Sequence, residues 1–109
     1  MTDKGKKYLS AVLTSIQLIE EFTESTATFD AYQSDKKTQS AVERHLAIIG
    51  EAINKLRLTE PEILLVHDVK IISLRNRLVH AYDSIDNTIV WAILKNHLPS
   101  LKIEISALL

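Results

Sequence analysis

The spacing of apolar residues constrains this chain more than any other feature. From Asp3 to Thr23, the side chains Tyr8, Val12, Leu13, Ile16, Ile19 and Phe22 recur every third or fourth position, which gathers them on one face of a helix. A second stripe, Val42, Leu46, Ile49, Ile53 and Leu56, defines a helix running to about Arg57, with Asp35 placed to cap its first turn. Gly50 sits inside that helix at a cost of about 1 kcal/mol relative to Ala. A neighbouring helix passing close by is one reason to accept that cost. Only two Gly and two Pro occur in 109 residues. A β protein of this length needs many more turn residues, so the balance favours helices.

The remaining elements follow from local signals. The stretch TESTATFDAYQSD breaks the helical pattern and predicts a loop, with one short turn around Phe29 to Tyr32. Thr59 and Glu62 have capping-box spacing, and Pro61 is tolerated in a first turn, so EPEILLV predicts a short helix. A third long helix spans about Asp68 to Tyr82 and is ended by YDSIDN. Asp86 caps a fourth, whose core side comprises Ile89, Ile93, Leu94, Leu98 and Leu101. Pro99 falls inside that pattern and should kink or interrupt it. The expected architecture is all-α, a bundle of four main helices with one or two short extras. Residues 1–109 read as a single domain, with no repeat or low-complexity tract.

Composition narrows the function. Cysteine is absent, which removes disulfides, thiol nucleophiles and Cys-ligated zinc together. The N-terminal segment MTDKGKKYLS carries basic residues but no apolar stretch of a signal peptide. No apolar run approaches the roughly 18 residues that a membrane span requires. The chain therefore reads as cytoplasmic. A net charge of −1 is not the footprint of a protein that coats nucleic acid. It still allows an enzyme that grips a few phosphates through a local patch. No Gly-rich phosphate loop is present, which argues against an ATPase or nucleotidyltransferase. The spacing of His45, His67 and His97 matches no metal-ligand motif, so no metal and no cofactor are expected. His45 reads as a packed or interfacial histidine, and Glu51 with Lys55 as a solvated i, i+4 pair.

One short stretch concentrates the chemistry. SLRNRLVHAY, residues 73–82, gathers Arg75, Asn76, Arg77, His80 and Tyr82 within eight positions. On a wheel of about 100° per residue, Asn76, Arg77 and His80 lie on a polar arc, whereas Arg75 and Tyr82 fall within the apolar one. Tyrosine is easily placed there. Arginine is not: its guanidinium stays charged and brings five donors, so it needs a counterion or a lined cavity. Taken alone, Arg75 is explained by snorkelling or by a carboxylate on another helix, and His80 by a polar helix face. Lys70, Arg75 and Arg77 together form the expected phosphate-binding patch.

The combination is more specific. Arg75-Asn76-x3-His80-x-Tyr82 resembles the R-x4-H-x-Y signature of HepT-like proteins in the HEPN ribonuclease superfamily. IGEAINKL (49–56), PEI (61–63), LRNRLVHAY (74–82), SID (84–86), VW (90–91) and NHLPSL (96–101) follow in the order and spacing of that family. The resemblance covers almost the whole chain. It implies a HEPN-type bundle and a metal-independent endoribonuclease that cleaves through the 2′-hydroxyl, with Arg75 and His80 as catalytic residues. His80 carries the side chain of the motif that titrates near neutrality and could serve as base or acid. Arg75 would clamp the phosphate and stabilise the developing charge. Asn76 and Tyr82 would support them, and Arg77 and Lys70 would contact RNA phosphates.

The resemblance also implies biology. It points to the toxin of a type VII toxin–antitoxin module whose partner is an MNT-type nucleotidyltransferase antitoxin, which silences the toxin by adding AMP to the motif tyrosine, here Tyr82. On an unbroken helix, however, Arg75 and His80 diverge by about 140°. Either the helix ends or distorts between them, or the arginine reaches around, or a second subunit completes the site. HEPN ribonucleases resemble the last case, which implies a homodimer. Two readings compete: a noncatalytic module that binds a nucleotide or supports a nucleotidyltransferase, and a purely structural helical protein.

Overall fold

The computed structural model describes residues 1–109 and consists of helices and their connections. In order they are α1 (Asp3–Phe22), α2 (Phe29–Gln33), α3 (Lys36–Thr59), α4 (Asp68–His80), a 3-10 turn (Tyr82–Ser84), α5 (Asn87–Asn96) and α6 (Leu98–Leu108). No helix is long and apolar enough to cross a membrane.

Most helix starts are capped by the side chains that the sequence supplies. Thr2 accepts from the Gly5 amide at 3.0 Å and Asp35 from the Thr38 amide at 3.0 Å. Thr28 accepts from Ala31 at 3.2 Å, and Asp86 from Thr88 at 2.8 Å. Each cap satisfies an amide that has no partner inside the helix. Pro99 acts as anticipated. It lies in the first turn of α6, where its missing N–H costs nothing. The expected fourth helix is therefore two helices, α5 and α6.

The two longest helices, α1 and α3, pack side by side and supply much of the core. Leu9, Val12, Ile16 and Ile19 of α1 meet Val42, Leu46, Ile49, Ile53 and Leu56 of α3, all buried. Ile71 and Leu74 of α4, Val90 and Ile93 of α5, and Leu98, Leu101 and Ile105 of α6 complete it. Two expectations shift here. Ile89, expected on the core side, is 39% exposed, and Val90 takes the buried position. Tyr32 joins the core and packs against Trp91, with ring centroids 5.4 Å apart.

The short helix expected in EPEILLV does not form. α3 runs two residues further than anticipated and consumes Thr59, the proposed cap, as its last residue. The Glu60 amide then closes α3 on the Leu56 carbonyl at 2.7 Å. The Glu60 carboxylate accepts from the Thr2 amide and hydroxyl at 2.8 and 2.7 Å. Residues 61–67 follow in turns and irregular backbone, with Leu65 buried between the exposed Leu64 and Val66. A nonlocal contact and one anchoring leucine thus override the local helical signal.

At Gly50, α3 and α4 approach closely. A Cβ there would lie 2.2 Å from Arg75 Cβ, 2.8 Å from Arg75 Cγ and 3.2 Å from the Ile71 carbonyl oxygen. The glycine is a steric requirement of the crossing.

Two predictions follow from these contacts. Gly50→Ala gains about 1 kcal/mol of helix propensity but must force α4 away from α3. Overpacking of this kind costs typically 1–3 kcal/mol. A lower urea midpoint for the alanine protein is expected, and an unchanged or raised one would show that the crossing tolerates a methyl group. The Thr2 hydrogen bonds hold the Glu60 carboxyl below its ordinary pKa. A depressed folded-state pKa contributes stability above the unfolded value of about 4.3, which is lost as pH falls through the folded value. Urea midpoints should therefore drop in acid below about pH 4, and less steeply for Glu60→Gln than for the parent.

Candidate active site

Helix α4 carries the motif, and its two flanks look into different grooves. On the α3 side, Arg75 leaves the helix immediately opposite Gly50. Its side chain is 24% exposed, and its Nη2 pairs with Glu51 Oε2 at 2.5 Å. Nη1 donates to Asn76 Oδ1 at 3.0 Å. Nε is buried with no acceptor. The guanidinium is thus held by a carboxylate and an amide while one donor lacks a partner, a costly arrangement unless an acceptor arrives from outside.

The groove that receives Arg75 has a volume of about 370 Å³. Tyr8 and Ala11 of α1, Ala47 and Ile48 of α3, and Val79 of α4 contribute its apolar walls. Arg44, Lys55 and Arg75 bring three positive charges against the one carboxylate of Glu51, which also lies 3.8 Å from Lys55. The local balance is cationic although the chain is not. The apolar face on which Arg75 was placed by periodicity is therefore a groove wall, and the sequence-level alternative of a carboxylate on another helix is realised in Glu51.

His80 is the last residue of α4 and is exposed, as is Asn76. The helix runs unbroken from Arg75 to His80. Their divergence therefore stands, and a helix end or distortion between them is excluded. After His80 the backbone leaves the helix at Ala81, with φ −143° and ψ 42°. Tyr82 opens the 3-10 turn and is 76% exposed. The wheel cannot be extended to Tyr82, so its expected helical alignment with Arg75 is lost.

Lys70 and Arg77 do not join Arg75. They line a second groove on the other side of α4, facing α5 and His97. The patch expected from Lys70, Arg75 and Arg77 is divided between two grooves by the helix that carries it. His67 and His97, scattered in sequence, are neighbours in space, with ring centroids 4.3 Å apart. His45 is packed: its Nδ1 lies 3.1 Å from Ser15 Oγ, and its ring meets Phe22 at 5.6 Å. No three His, Asp or Glu side chains converge as a metal site.

Sequence reasoning missed Glu51. Its i, i+4 relation to Lys55 was a sufficient local explanation. Two signals could have found it together: Arg75 needed a counterion, and Gly50, the residue next to Glu51, marked where another helix comes close.

Comparison with known proteins is consistent across the chain. The family model described as "Ribonuclease HepT-like" matches residues 12–108. A protein of Thermococcus cleftensis named "Probable ribonuclease HepT" is 41% identical over 106 residues, covering 94% of this chain and 93% of the relative. Two proteins of Methanocaldococcus jannaschii are also similar. "Putative RNase MJ0127" is 35% identical over 100 residues, 87% of this chain and 78% of its own. "Putative RNase MJ1380" is 34% identical over 104 residues, 92% of each chain. No solved structure matches the chain.

The Arg75–Glu51 pair is part-exposed, so its coupling energy should be modest, about 1 kcal/mol. A double-mutant cycle with Glu51→Gln and Arg75→Gln, read by urea denaturation, measures it. A coupling of zero would show that the two side chains do not restrain one another in solution.

Proposed function

From its membership of the ribonuclease HepT-like family, which makes this chain a ribonuclease, we propose that it is a metal-independent RNA endonuclease in which Arg75 and His80 are the catalytic residues. The observation that carries this reading is the half-buried Arg75, whose Nε faces no acceptor, on the same helix as an exposed imidazole. Cleavage through the 2′-hydroxyl requires that hydroxyl to lose a proton, the leaving 5′-oxygen to gain one, and the phosphorane charge to be stabilised. His80 is exposed to solvent, placed to act as base or acid. Arg75 supplies the fixed positive charge, an effect commonly worth about 3 kcal/mol, roughly a hundredfold in rate. Asn76 holds the guanidinium through its Oδ1 and keeps its amide nitrogen for a phosphate oxygen.

Arg75 and His80 diverge on a continuous helix, so the working site is a cleft between two copies of the chain. The exposed flank of α4 supports this assembly. Val79 (45% exposed) and Tyr82 (76%) present apolar and aromatic surface beside Asn76 and His80. In a two-fold dimer across α4, Arg75 of one protomer and the histidine of the other are brought toward a shared phosphate.

The same reading makes the chain the toxin of a type VII toxin–antitoxin module. Its partner is an MNT-type nucleotidyltransferase antitoxin that attaches AMP to Tyr82. The exposure of Tyr82 on a short turn supports this role, because a transferase must reach the phenol. Added phosphodiesters bring negative charge to the cleft and repel incoming RNA. The observation favouring a noncatalytic module instead is the Arg75–Glu51 pair, which satisfies part of the guanidinium without a ligand.

His80→Ala should abolish cleavage of total RNA while leaving the helical fold intact, and the parent should cut equally well in EDTA. Mixing inactive His80→Ala with inactive Arg75→Ala should restore part of the activity, since some mixed dimers hold one intact composite site. Inhibition by the chelator would sink the metal-independent reaction; failure of the mixture would sink the shared cleft. Incubation with the cognate nucleotidyltransferase and ATP should add AMP masses to the parent and none to Tyr82→Phe. Increments that persist on the phenylalanine protein would place the modification elsewhere.

A further inference from the structure

The second groove, between α4 and α5, is separate from the one that receives Arg75 and has no role in the reaction described above. Its volume is about 420 Å³, within the usual range of small-ligand sites. Three features distinguish it. First, Lys70, Ser73 and Arg77 stand at i, i+3 and i+7 along one edge of α4 and all line the groove. They form a polar ladder about two turns long. Second, none of the residues lining the groove is acidic, and neither Lys70 nor Arg77 takes part in any ion pair of the chain. In a protein of net charge −1, two unpaired cations sharing an acid-free groove form a local anion trap. Third, His97 closes one end. Its Nδ1 is buried without a partner, and its ring rests edge-on against His67. Burial, together with the nearby His67 and Lys70, holds the His97 imidazole below its ordinary pKa. Around neutral pH it is a neutral polar edge rather than a third cation.

The facing wall, from α5, is apolar: Ile89, Ala92 and Ile93 line it, with Ile89 exposed, and Val69 adds a further exposed aliphatic side chain from α4. A surface with unpaired cations on one edge and exposed aliphatic side chains on the other matches a ligand with a charged and a flat apolar part. A nucleotide has both.

We infer that the Lys70–Arg77–His97 groove is a subsite for a nucleotide of the RNA strand outside the scissile position, with its phosphate on Lys70 and Arg77 and its base against Val69, Ile89 and His97. This rests on the ribonuclease reading above and extends it. The strand leaves the shared cleft and continues along the α5 side of α4. Substrates long enough to fill both grooves are bound through more phosphates than the shortest cleavable RNA.

The test uses a fluorescent 2′-O-methyl oligoribonucleotide, which cannot be cut through a 2′-hydroxyl, and follows binding to the full chain as salt is varied. Each phosphate contact contributes about 0.7 to the slope of log affinity against log salt for a single strand. Lys70→Gln with Arg77→Gln should weaken binding and reduce the slope by about 1.4. Ser73→Glu, which places a carboxylate between them, should weaken binding as well. Lys4→Gln with Lys6→Gln, removing the same charge from α1, should leave the slope unchanged. If the groove variants keep the parental affinity and slope, or the α1 variant loses as much, the subsite is wrong while the ribonuclease reading stands. If the parent does not bind the oligonucleotide at all, the single-strand endonuclease reading proposed above falls and takes the subsite with it. Adenosine 5′-monophosphate and inorganic phosphate decide the source of the ligand. Should either bind the groove as tightly as the oligonucleotide does, the occupant is a free small anion and the strand assignment is overturned.

Discussion

The crossing of α3 over α4 at Gly50 sets the geometry on which everything else depends. Arg75 Cβ lies where a side chain at position 50 would begin. That contact brings the guanidinium down beside Glu51 and into the groove bounded by α1 and α3. A larger residue would separate the helices, widen the groove and remove Arg75 from its carboxylate. The conformational cost of a glycine in mid-helix is therefore tied to the placement of one charged side chain. Stability and chemistry meet at the same backbone contact.

Helix α4 behaves as a partition. Its buried edge, Ile71 and Leu74, anchors it in the core. Its two polar flanks then face different environments, with Arg75 toward Glu51 and Lys70 and Arg77 toward His97. His80 and Tyr82 lie at its end, free of both grooves and exposed. Within a single copy the motif is thus dispersed: one member half-buried and restrained, the others open to solvent. Bringing these residues onto one substrate is the part that the proposed cleft between two copies would play.

The amino-acid sequence by itself determined the helices, because their causes are local. Apolar spacing selects the buried face of α3 and, at Val12, Ile16 and Ile19, that of α1, where Leu9 is buried in place of the half-buried Tyr8, Leu13 and Phe22. Asp35 and Asp86 accept amide hydrogens where capping chemistry places them. Pro99 divides α5 from α6 for want of an amide hydrogen. The motif residues were equally legible, since their types and spacing are properties of the chain. So was the demand that Arg75 have a partner, which follows from a charge that cannot be lost.

Only the tertiary structure decided who that partner is, because Glu51 and Arg75 are 24 positions apart and no local rule connects them. The same holds wherever expectation and structure part. Glu60 is drawn to Thr2, 58 residues away, and the helix expected after Thr59 yields to that contact. Val90 displaces Ile89 from the core by the rotation of α5 against its neighbours. Ala81 leaves helical geometry before Tyr82, so a wheel drawn through the tyrosine misplaces it. Lys70 and Arg77 share a helix with Arg75 yet face another groove, and His67 meets His97 from 30 positions away, which spacing could not foresee. Periodicity reports which face of a helix is apolar. It carries no information about which element covers that face, and the pairing of charges depends on that covering.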